Sequence, residues 1–146
     1  MIRRRVLIVN TIGRCLLLVA LSTLAVGQAT KQRLSVQEAR QLVLAALPSS
    51  TKQLPKFGLE QYEYPASPGF YFFTAYWAGA PRGSMIVGHY AVDESTADVW
   101  NAVMACEELS TPALRNLQAK ARSRMGLSNA GYHKQKRTCP LEMEGR

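Results

Sequence analysis

Few residues in this chain carry the imidazole or thiol that a zinc site or a cysteine–histidine pair needs: His89, His133, Cys15, Cys106 and Cys139. None falls in a Cys-x-x-Cys or His-x-x-x-His spacing, so a closed tetrahedral metal site is not expected and no cofactor is implied. Gly83-Ser84 lacks the Gly-x-Ser-x-Gly frame that exposes a hydrolase serine, and reads as a turn entering a strand. Glu107 and Glu108 stand just ahead of a helix start, where carboxylates complement the positive end of the helix dipole. His89 lies inside an apolar run, the setting of a hydrogen-bonded structural imidazole. The expectation is a non-enzymatic protein. The alternative is a small ligand-binding protein or enzyme with a pocket around His89, Tyr90 and Glu107.

Aromatic side chains are the stronger chemical feature. Tyr71, Tyr76, Trp77, Tyr90 and Trp100 supply large contact areas that each carry one polar handle, the composition of protein-binding surfaces. Core packing accounts for about half of them on general grounds. The candidate binding residues are Tyr71, Tyr76, Trp77, His89 and Trp100, and the expected partner is another envelope or secreted protein. Self-association through an apolar sheet face is a further alternative.

The compartment follows from the N-terminus. Residues 1–14 are arginine-rich, 15–26 are largely apolar, and the small residues Gly27 and Ala29 follow, which is the three-part plan of a secretory signal peptide over 1–29. Cleavage is expected after Ala29, with Gly27 as the alternative site. An uncleaved anchor helix would have to run from Val6 to Val26, where Asn10 and Arg14 interrupt it, which argues against an anchor and leaves only transient contact with the membrane. Arg3-Arg4-Arg5-Val6-Leu7 also fits the start of a twin-arginine leader, so the export route stays open. The expected localisation is periplasmic or secreted.

The chain has 146 residues and a formal net charge of +8. Removing Arg3, Arg4, Arg5 and Arg14 with the leader lowers the excess to about +4, and no basic stripe of the kind that grips nucleic acid remains. Cys15 leaves with the leader as well. Cys106 and Cys139 are then an even pair, and an oxidising compartment favours their disulfide over two free buried thiols. The remaining length, 30–146, suits one domain.

The elements that must position these residues are an opening helix, strands and a closing helix. Ser35-Val36-Gln37-Glu38 has the reciprocal capping form, and Val36, Ala39, Leu42, Val43, Ala46 and Leu47 recur at helical spacing until Pro48. Residues 48–69 carry four prolines and read as a structured loop with at most a short turn or strand at 56–59. Runs 70–77, 84–92 and 98–104 are separated by turn residues and predict a three-stranded antiparallel meander, apolar on both faces. One face is expected under the first helix and the other under the C-terminal helix, a second copy or a partner. Thr111-Pro112 opens that last helix and Gly126 ends it. The basic stretch 127–146 has little to bury and is expected to be poorly ordered apart from the Cys139 anchor. The fold class is α+β: N-terminal helix, meander, C-terminal helix.

Glu38-Ala39 on the opening helix, Tyr90-Ala91-Val92-Asp93 closing a strand, and Thr96-Ala97-Asp98-Val99 entering the next resemble the helix-plus-meander unit of PepSY-type domains. Ala97 departs from that pattern, which usually has glycine at a turn needing positive φ. Similar segments occur in small immunity proteins of bacterial toxin systems. The resemblance implies an exported inhibitory or regulatory binding module and assigns no functional residue.

Overall fold

Helix α1 (Val36–Ala46) starts where the sequence signals it, with Ser35 as N-cap. The Ser35 amide donates to Glu38 Oε2 at 2.9 Å and the Glu38 amide donates to Ser35 Oγ at 3.3 Å, which satisfies two amides the helix itself leaves free. The computed structural model describes residues 32–63, 67–79, 85–103 and 106–141. The expected leader 1–29, its cleavage site, Tyr64, Gly83-Ser84, Met104 and residues 142–146 lie outside the described residues.

After α1 come a single-turn helix α2 (Ser49–Lys52), then strands β1 (Gly58–Tyr62), β2 (Phe70–Tyr76), β3 (Ile86–Asp93), β4 (Val99–Asn101) and β5 (Glu107–Glu108), and helices α3 (Pro112–Arg124) and α4 (Asn129–Gln135). The strands form one antiparallel sheet in the order of the chain, β1-β2-β3-β4-β5. The expected α+β class is right in outline, but the three-stranded meander is the middle of a five-stranded one. β1 comes from the proline-rich loop, and β5 is the Glu107-Glu108 pair read above as helix-preceding carboxylates.

Leu59, Phe73, Ala75, Tyr90, Val92 and Val99 fill the sheet face under α1, together with Leu34, Leu42 and Val43. α3 lies against α1 and adds Leu114 and Ala121. Thr111 ties the two helices together, since its hydroxyl accepts from the Leu114 amide at 3.1 Å and donates to the Ala45 carbonyl at 3.0 Å. Gln118, a polar residue on the buried stripe of α3, donates to the Ala97 carbonyl at 3.0 Å. Ala97 has φ 61°, so the turn uses the left-handed region that the PepSY resemblance assigns to glycine, and an alanine bears it.

The opposite face has its own smaller cluster of Phe72, Ala91 and Ala102, bordered by Tyr62, Phe70 and Leu141. The described part of the C-terminal stretch covers some of it through Leu141, whereas α3 lies against α1 on the other side of the sheet. Tyr132 of α4 donates to Asp98 at 3.1 Å. Arg137 donates to Asp93 Oδ2 at 2.6 Å and to the Gly69 carbonyl at 2.5 Å, and its guanidinium lies 4.1 Å over the Phe70 ring. Gly69, at φ 84°, leaves no room for a Cβ beside that guanidinium. Cys139 is bridged to Cys106 with their Cα atoms 6.1 Å apart, and Ser67 Oγ donates to the Pro140 carbonyl at 3.2 Å. A tail with few apolar residues is thus fixed by ion pairs and a crosslink.

Candidate protein-binding face

The strand register decides which candidate residues can act together. Alternation from buried Leu59 sets Gly58, Glu60 and Tyr62 on the face away from α1. Their partners across the ladder, Tyr76, Thr74 and Phe72, share that face, followed on β3 by Ile86, His89 and Ala91. Trp100, opposite Ala91, extends the same row.

Three parallel rows result. Tyr62, Phe72, Ala91 and Trp100 form an apolar one, with Tyr62 and Phe72 at a centroid separation of 5.7 Å. Glu60, Thr74 and His89 form a polar one, in which Thr74 Oγ1 and His89 Nδ1 are 3.1 Å apart. Gly58, Tyr76 and Ile86 form the third. A Cβ on Gly58 would run into the Tyr76 ring, which lies across it, and would force that ring to shift. The Tyr62 ring meets the His89 imidazole edge-on at 6.0 Å. Burial pushes the Tyr62 phenol above its usual pKa.

The predicted site residues divide. Tyr76 and His89 lie together on this face. Trp100 lies on it too, but is 3% exposed and packs against Phe70 at 5.7 Å. Tyr71 points the other way and donates to the Leu34 carbonyl at 2.9 Å, with its phenol held high by burial and then by the Glu94 charge. It is a core residue, because neighbouring strand positions cannot share a face. Trp77 lies just past β2, with its amide donating to the Met85 carbonyl at 2.9 Å and its indole against Gly79. Cys106 and Cys139 hold the tail at the other end of the face.

Sequence reasoning missed Glu60, Tyr62 and Thr74. The two β1 residues lay in a segment read as loop, and Thr74 was overlooked among aromatic neighbours although its parity with Phe72 and Tyr76 was readable. Near the same face, Met85 and Val103 are 64% and 42% exposed.

The pocket alternative loses its geometry here. His89 and Tyr90 are consecutive strand residues on opposite faces, and Tyr90 is buried under α1, where burial raises its phenol. Clefts of about 410 Å³ beside Arg33, Glu94 and Arg137, about 430 Å³ beside Arg122 and Tyr132, about 360 Å³ between α1 and α3, and about 360 Å³ against Tyr62 and Phe70 are lined by none of His89, Tyr90 and Glu107. Among the described residues no three of His, Cys, Asp and Glu gather as a metal site, and no helix is long and apolar enough to cross a membrane.

A helix pair backing a five-stranded meander, with a crosslinked tail packed on part of the far face, defines a small α+β protein, and among the described residues Glu60 and Ile86 are exposed on that face. The chain matches no protein-family model and no curated protein. Among solved structures it is similar to a chain of a type VI secretion system effector–immunity complex from Pseudomonas protegens, at 28% identity over 72% of this chain and 88% of that one, with a TM-score of 0.56. The PepSY resemblance has no counterpart in these comparisons.

Proposed function

We propose that this chain is an exported, non-enzymatic immunity-type protein that binds a partner protein in the bacterial envelope and blocks it by contact. The observation that carries the reading is the likeness to a chain of the effector–immunity complex, which extends over most of that chain. The uncovered sheet face supports it: tyrosine, histidine and threonine side chains on a rigid sheet offer contact area with little conformational entropy left to lose. The leader over 1–29 and the Cys106–Cys139 bridge support the envelope.

The test is co-production of this chain with the product of the neighbouring gene, both directed to the periplasm. Growth arrest by the neighbour alone, relieved when this chain is present and accompanied by a complex that survives gel filtration, is the expected result. Arrest without relief and without a complex, when both proteins are folded and exported, would overturn the reading.

A further inference from the structure

The polar row on the open sheet face has an unusual charge setting. Glu38, Asp93, Glu94, Asp98 and Glu108 are each ion-paired, with Arg124, Arg137, Arg33, Arg122 and Lys136 respectively. Glu60, like Glu63 and Glu107, has no counter-ion among the described residues, and of the three it is the one in the row with Thr74 and His89. It stands on edge strand β1 as the outer end of the row Glu60, Thr74, His89. Tyr62 lies on one side of that row and Tyr76 on the other, each one ladder step away. Arg137 and Lys136 are committed to Asp93 and Glu108, and none of the ion pairs among the described residues reaches Glu60.

From this juxtaposition we infer that the uncovered half of the sheet is a socket for an arginine side chain projecting from a protein partner. This inference rests on the binding role proposed above and names the chemistry of the contact. The Glu60 carboxylate supplies the opposite charge, and the rings of Tyr62 and Tyr76 supply faces on which a planar guanidinium stacks. The Thr74 hydroxyl accepts a further N–H from the fork. A carboxylate-bearing partner or a nucleic acid meets like charge at Glu60, and a lipid surface has to strip water from a polar row. Arginine satisfies all three features at once, whereas lysine, a compact and strongly hydrated point charge, uses the rings less well.

The experiment uses the isotope-labelled chain with its disulfide intact, titrated with acetyl-Gly-Arg-Gly amide, with the lysine and glutamate versions in parallel, and followed by amide shifts. The expected result is saturable shifts at Glu60, Tyr62, Thr74, Tyr76 and His89 for the arginine peptide, weaker ones for lysine and none for glutamate. Glu60→Gln should weaken the arginine peptide about tenfold, whereas Glu63→Gln, a change to a neighbouring exposed carboxylate, should not. Shifts indifferent to Glu60→Gln, or equal for the glutamate peptide, overturn the socket. In the neutralisation experiment, relief that persists unchanged with Glu60→Lys overturns the socket while leaving the immunity reading standing. Peptide binding at the socket without any relief of arrest upholds the socket and removes the immunity reading.

Discussion

Asp93 and Asp98 are both fully buried and bracket a single turn, and each is met by an arginine from a different part of the chain. Asp93 shapes the turn itself: its Oδ1 accepts from the Ser95 amide at 2.7 Å and the Thr96 amide at 3.1 Å. Asp98 accepts from Arg122 at 2.5 Å and from Tyr132 at 3.1 Å, yet burial outweighs these partners and pushes its carboxyl above the usual 3.8. The native state therefore holds this proton longer than the unfolded chain does. Its contribution to stability is fullest below the usual value and declines as pH climbs from about 3.8 to the raised folded value. The stability lost on Asp98→Asn, read by urea unfolding, should then be smaller at about pH 7 than at about pH 3. A loss that grows with pH would mean that Arg122 governs the site.

Elements with local causes were legible in the sequence, and elements with distant causes were not. α1 was readable because Ser35, Glu38 and Pro48 punctuate it within the segment itself, and α3 because Thr111 and Pro112 do the same. β1 sits between prolines, and its reason for being a strand is the ladder with β2. β5 is two glutamates held by pairing to β4. α4 reads Asn-Ala-Gly-Tyr-His-Lys-Gln, with weak intrinsic helicity and no apolar stripe; Tyr132, between Asp98 and the Arg122 guanidinium 4.1 Å from its ring, holds it in place. The tail beyond it depends on contacts far away in sequence, among them the bridge that closes a separation of 33 residues. Opening that bridge by Cys139→Ser should cost about 3–4 kcal/mol on the chain-entropy account of a loop this long. Because Leu141 packs against Phe72 and Ala91, and Ala91 is the ladder partner of Trp100, tryptophan emission should shift to the red before global unfolding. If Cys139→Ser unfolds in one step at the parent's denaturant midpoint, the tail contributes nothing as a cover.

At the scale of the whole molecule, the sheet is a partition between two chemistries. On the face toward α1 and α3, the α1 residues Ala39, Leu42, Val43, Ala46 and Leu47 could be named beforehand because their helical spacing is local, whereas Leu59, Phe73, Val92 and Val99 join them through the sheet register. The other face is closed at one end by a tail and left open at the other, and its make-up depends on a strand register that no local pattern states. This accounts for the candidate site being only half legible: Tyr76 and His89 belong to it, Trp100 lies under the cover, and Tyr71 is on the far side. The partition separates stability from recognition. Tyr71→Phe removes a hydroxyl that donates to the Leu34 carbonyl within a half-buried contact, and should lower unfolding free energy by about 1 kcal/mol while leaving binding of the arginine peptide unchanged. Tyr76→Leu removes a ring from the open face and should weaken that peptide severalfold, with the circular dichroism spectrum retained. The reverse outcome, binding lost with Tyr71→Phe and kept with Tyr76→Leu, would place the contact surface on the helix side and undo the assignment of faces.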